Sequence, residues 1–154
     1  MIRVQREDFD TGRELERLAA GDHSVGGVAS FIGLVRDVLG HGSGPDRVSA
    51  LTLEHYPGMT EKKLAEIEAE ANRRWPLSAS LIIHRYGRLE PGDRIVLVAT
   101  ASPHREAALA ACHFLIDWLK TDAPFWKSEE TPTGERWVAA RADDAAATRR
   151  WRGE

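Results

Sequence analysis

The stretch Leu81-Ile82-Ile83-His84-Arg85-Tyr86-Gly87-Arg88, then Leu89-Glu90-Pro91-Gly92-Asp93, then Arg94-Ile95-Val96-Leu97-Val98-Ala99-Thr100-Ala101-Ser102 decides the fold. Both flanks are apolar runs of strand length, rich in β-branched residues, and the Pro-Gly step between them turns the chain. A hairpin of two antiparallel strands is therefore expected, Leu81 to Arg88 and Arg94 to Ser102.

Working outward, Pro103 suits the first turn of a helix reaching about Lys120, with Ala108, Ala111, Leu115 and Trp118 at core spacing. On the other side, Thr60 to Trp75 repeats apolar residues at Leu64, Ile67, Ala71 and Trp75 and reads as a helix stopped by Pro76. Ile2 to Gln5, Val25 to Arg36 and Arg47 to Tyr56 read as strands, and Asp10 to Ala20 as a short helix with Leu15 and Leu18 inward. Asp37 to Asp46 carries three glycines and a proline and reads as a loop. Short strands are expected at Phe125 to Glu129 and Arg136 to Ala140, with residues 143–154 a polar helix or tail. Hairpins mixed with crossovers point to α+β rather than a doubly wound parallel sheet, in a single domain over residues 1–154.

Composition narrows the function classes. The chain has 154 residues, 42% hydrophobic and 29% charged, as in an ordinary globular protein. It lacks an apolar run of membrane-spanning length and a secretory h-region, so a cytoplasmic location without membrane attachment is expected. A net charge of -3 gives no general attraction to nucleic acid. Cys112 is the sole cysteine and sits among apolar helical residues, and the six histidines form no HExxH or Cys/His pattern, so neither a disulfide nor a metal site is expected.

Positive charge, in contrast, collects at the ends of elements, where sites tend to form. Leu119-Lys120-Thr121-Asp122-Ala123-Pro124-Phe125-Trp126-Lys127 puts two lysines either side of a rigid aromatic turn. Held against an apolar wall, such lysines can meet an anion or an acyl group. Taken alone, the segment reads more simply as the solvated ends of two elements flanking a packed turn. Ser102-Pro103-His104-Arg105 opens a helix, whose free N–H groups and dipole suit a phosphate; the same pair also reads as a cap and a surface ion pair. Arg36 ends a strand and Arg141 follows the last one. His84 reads as a satisfied core or edge histidine.

Three segments carry a resemblance: Leu51-Thr52-Leu53-Glu54-His55-Tyr56-Pro57-Gly58-Met59-Thr60-Glu61, the His84 to Asp93 segment, and the Leu119 to Lys127 segment. Together they resemble the large, catalytic subunits of molybdopterin synthase, the MoaE family, in register from about Val25 to Trp151. The resemblance implies an α/β-hammerhead with an additional antiparallel sheet. It also implies a homodimer with a small ubiquitin-like sulfur carrier at each end, forming a heterotetramer. The carrier's C-terminal Gly-Gly thiocarboxylate would give sulfur to cyclic pyranopterin monophosphate, building the dithiolene of molybdopterin, with no cofactor of the chain's own.

By position, Lys120 and Lys127 match the family's catalytic lysines. Arg36, His104 and Arg105 match its phosphate and pterin contacts, converging on one dianion, and Ser128 and Glu129 its pocket residues. Arg141 matches an arginine offered to the neighbouring subunit. The sequence departs from the family at Leu34, where a lysine is common, and in the longer, glycine-richer loop 37–47. Retention of both lysines and of His104-Arg105 argues against a binding module without catalysis, and the acidic balance against a nucleic-acid-binding protein.

Overall fold

The computed structural model of the protein describes residues 1–37, 47–138 and 142–153. Eight strands and four helices are formed among them: β1 (Ile2–Gln5), α1 (Thr11–Ala19), β2 (Gly27–Leu34), β3 (Ala50–His55), α2 (Met59–Arg74), β4 (Ala79–Arg85), β5 (Gly87–Leu89), β6 (Arg94–Ser102), α3 (Arg105–Asp122), β7 (Phe125–Thr131), β8 (Gly134–Val138) and α4 (Ala142–Arg149). The strands make two four-stranded sheets, ordered β1-β4-β6-β2 and β5-β3-β7-β8. All neighbours are antiparallel except β1 and β4. This is the α+β architecture expected, including the additional antiparallel sheet.

The expected hairpin forms, but it is shorter than the sequence reading. Ser80 opposes Thr100 and His84 opposes Val96, yet the chain leaves this sheet after Arg85. Gly87 turns it with a φ of 91°, a left-handed conformation that costs glycine little. Residues Gly87 to Leu89 then pair with Leu53 to Leu51 in the second sheet. The run read as one strand therefore serves both sheets and ties them together.

Helices cover the first sheet on both faces. On one, Leu64, Ile67 and Ala71 of α2 and Ala108, Cys112 and Leu115 of α3 share a core with Ile82, Val96 and Val98. On the other, Leu15 and Leu18 of α1 pack on Phe9, Leu81, Ile83, Leu97 and Ala99. Caps fix the helix starts: the Asp10 carboxylate accepts from Arg13 N, and Glu61 accepts from Gly58 N at 2.6 Å. The C-terminal segment docks on α3 through Trp151, whose indole N–H donates to Asp117 at 2.7 Å. Among the described residues no helix is long and apolar enough to cross a membrane.

The direction of α3 positions the site. Thr100 Oγ1 donates to Ala108 O at 2.6 Å, and Cys112 Sγ lies 3.9 Å from Val98 O, so the helix runs back along β6. Its C-terminal end therefore lies over the start of β6, where Arg94 opposes Leu34 at the end of β2.

Candidate active site

Lys120 occupies the last turn of α3 and Lys127 the third position of β7, with Ala123-Pro124 between the two elements. Both lysines face solvent in the single chain, so the desolvation expected from the sequence is not supplied by the chain's own fold. The aromatic wall is present. Phe125 stacks on His84, with ring centroids 3.7 Å apart and planes at 15°, and Trp126 meets Tyr56 at 4.5 Å.

Arg36 belongs to the same end of the molecule. The preceding Val35 packs with Leu51, Leu53 and Leu89, and Leu53 is the register partner of Lys127. Val35 is held by two backbone bonds, its N–H donating to Asp93 O at 2.9 Å and its carbonyl accepting from Gly92 N at 2.8 Å. Three cations thus gather where α3 ends, β2 ends and β7 begins.

His104 and Arg105 lie elsewhere. They stand at the N-terminus of α3, both exposed, with the His104 N–H donating to Ser102 Oγ at 3.3 Å. Fifteen helical steps separate Arg105 from Lys120, roughly 22 Å at the helical rise. Arg105 also adjoins Gly27, at the opposite end of β2 from Arg36. The expected convergence of Arg36, His104 and Arg105 on one anion therefore does not occur within one chain. The reason is that α3 and β2 both run the length of the first sheet.

Ser128 and Glu129 are both buried, but alternation along β7 sends them to opposite faces. Glu129 shares the face of Phe125 and Lys127 and accepts from Arg136 Nε at 3.3 Å. Ser128 opposes Thr52 and Trp137 on the other face, away from the lysines, so it is not part of the same cluster. Counting by two from Lys127 in the sequence would have shown this. Arg141 and most of the loop 37–47 lie outside the described residues.

Sequence reasoning gave His84 no part in the site, yet it adjoins it. The residue is 5% exposed, and Nδ1 donates to Arg85 O at 2.8 Å. Burial, with Lys127 and His55 nearby, pushes its pKa down to about 4, so the imidazole is neutral at pH 7. Beyond Phe125, the His55 ring lies 4.5 Å from Tyr86, and His55 Nδ1 pairs with Thr60 Oγ1 at 3.2 Å. Glu54, the residue before His55, is exposed.

The family model described as MoaE protein matches residues 4–122. The chain belongs to the MoaE family. It is 57% identical over 150 residues to a protein of Ralstonia nicotianae named molybdopterin synthase catalytic subunit, covering 97% of this chain and 83% of that one. A protein of the same name from Escherichia coli is 53% identical, with 97% of each chain covered. Among solved structures, the MoaE protein of Burkholderia ambifaria superposes with a TM-score of 0.83 at 52% identity, over 100% of this chain and 99% of that one. Molybdopterin synthase from Staphylococcus aureus gives a TM-score of 0.79 at 34% identity, over 89% of this chain and 96% of that one.

Proposed function

We propose that this MoaE-family chain is the catalytic subunit of a molybdopterin synthase. It would transfer sulfur from the C-terminal thiocarboxylate of a small ubiquitin-like carrier to cyclic pyranopterin monophosphate. The observation that carries the reading is the gathering of Lys120, Lys127 and Arg36 at one end of the fold. A sulfurtransferase of this kind needs no cysteine as sulfur source, and Cys112 is buried in the core of α3. The same unpaired cysteine suits a reducing, cytoplasmic setting.

The thiocarboxylate sulfur bonds to a side-chain carbon of the pterin as a hydroxyl group leaves that carbon as water. Water then adds to the acyl carbon of the resulting thioester and its C–S bond breaks, leaving the sulfur on the pterin as a thiolate and a carboxylate on the carrier. That exchange passes through a tetrahedral oxyanion. An ammonium fixed beside it lowers the barrier by electrostatic stabilisation, the role assigned to Lys120. Lys127 orients the pterin and offsets charge on the departing thiolate. Arg36 holds phosphate and so contributes positioning.

His104 and Arg105 join this cluster when a second copy is added. β2 is an edge strand, and Val28, Ile32 and Leu34 on its outer face are 41%, 37% and 52% exposed. Two copies of β2 meeting antiparallel about a twofold axis bury these residues. The Gly27 end of one chain, carrying His104 and Arg105, then lies beside the Arg36 end of the other. A homodimer built this way has two complete sites, each with room for one carrier, which gives a heterotetramer.

The deciding experiment mixes the purified protein with thiocarboxylated carrier and cyclic pyranopterin monophosphate and follows the dithiolene product by mass spectrometry. Formation of product only when all three are present is expected. Failure to form it, with the carrier bound, would remove the assignment.

A further inference from the structure

We propose that His84 is a positioning residue for Lys127, acting through the ring of Phe125. This rests on the reading of Lys127 as an active-site lysine.

His84 is the next-to-last residue of β4 in the first sheet, and Phe125 begins β7 in the second. Their stacked rings are therefore a joint between the sheets, placed next to the site. The joint is clamped on both sides. His84 is fixed within its sheet by Val4 and Val96 in register and by its Nδ1–H donating to Arg85 O. Phe125 has His55 as its register partner on β3, 6.0 Å ring to ring, and Tyr86 backs His55 with Arg6 lying 4.7 Å over its face.

Lys127 follows Phe125 by two residues on the same face of β7, about 6.6 Å along the strand. Any tilt of β7 at its first residue is carried to the lysine. Before the ladder with β3 begins, the turn contains Pro124 and Phe125 N donates within it, to Ala123 O at 2.8 Å. A flat, neutral ring is what the joint needs. A smaller side chain lets Phe125 sink, and a cation in the same place repels Lys127.

The test compares His84→Asn and His84→Phe with the unaltered protein in the dithiolene assay. Turnover by the unaltered protein tests the functional reading by itself, so the two ideas fail separately. His84→Asn keeps a donor for Arg85 O but removes the ring; kcat is expected to fall at least about tenfold, as displacement of a catalytic group does. KM for the carrier should hold within about twofold, since such binding is uniform to ground and transition states. His84→Phe restores the stack and most of kcat.

Wild-type kcat in His84→Asn, or an equal loss in His84→Phe, overturns the proposal. Phe125→Leu removes the stack from the other side and must show the same separation of kcat from KM, which keeps the test decisive where His84→Asn is insoluble. An activity-free readout is the NMR signal of Lys127 in protein labelled with 13C-lysine. It should move in Phe125→Leu while that of Lys62, on α2, stays in place; an unmoved Lys127 signal also overturns the proposal.

Discussion

A Cβ atom added to Gly26 would stand 2.1 Å from the carbonyl oxygen of Pro103. The two backbones approach this closely because Gly26 N donates to Ser102 O at 3.0 Å, drawing the chain before β2 against the turn that opens α3. That turn presents His104 and Arg105. Gly26→Ala should push it outward, costing about 1 to 3 kcal/mol of stability as overpacking does, and should weaken binding of the cyclic phosphate. Gly27→Ala, whose Cβ would meet Arg105 Cα at an ordinary 3.7 Å, should do neither. Urea unfolding and calorimetric titration of both variants check this.

A site shared between two copies makes a distinctive prediction. Lys120→Ala should lose about 100- to 1000-fold in kcat, and Arg105→Ala should weaken phosphate binding by about 1.5 to 3 kcal/mol. Mixed and allowed to exchange subunits, the two deficient proteins should regain about a quarter of wild-type activity, because half the dimers are mixed and each has one site with both residues intact. Sites contained within one chain would regain nothing. Activity of the mixture against time, with each variant alone as control, distinguishes the two.

Acid should weaken the fold through His84. Its folded-state pKa of about 4 lies below the ordinary 6.5, so between these values the unfolded chain binds the proton and the folded one does not. Stability from this group is thus full above pH 6.5 and falls as pH drops towards 4, by on the order of 3 kcal/mol over the whole window. Urea midpoints at pH 7 and pH 4.5 should differ less in His84→Phe than in the unaltered protein.

Cys112 should be inert. Burial pushes its thiol up to about 11, and the residue is 5% exposed. Iodoacetamide at pH 7.5 should leave it unmodified in the folded protein and label it in urea, as peptide mass spectrometry would show. Cys112→Ala should keep its activity and lose about 1 kcal/mol of stability, since it removes one buried sulfur atom from a packed core.

Much of the architecture was legible because apolar periodicity survives into the structure at Leu64, Ile67 and Ala71 of α2 and at Ala108, Ala111 and Leu115 of α3. The transfer of Gly87 to Leu89 into the second sheet was not. Gly87 is the local sign of a break, but the partner that takes up the chain after it, Leu53, and the packing of Arg6 against Gly87 come only from the tertiary fold. For the site, residue types could be read but not their grouping. His104, Arg105 and Arg36 look alike as cations at element ends, and nothing local says that α3 spans the sheet between them. The His84–Phe125 stack joins residues 41 positions apart on different sheets and leaves no local signature.

With Arg105 at its first residue and Lys120 near its last, α3 serves as a gauge rod for the assembly. In the dimer proposed here, each rod contributes its two ends to two different sites, so its length fixes how far apart those sites lie. One residue inserted mid-helix would lengthen it by only about 1.5 Å but would turn everything beyond by about 100°. Such a change would misalign the lysine of one site relative to the cations of the other, without altering any residue that touches substrate.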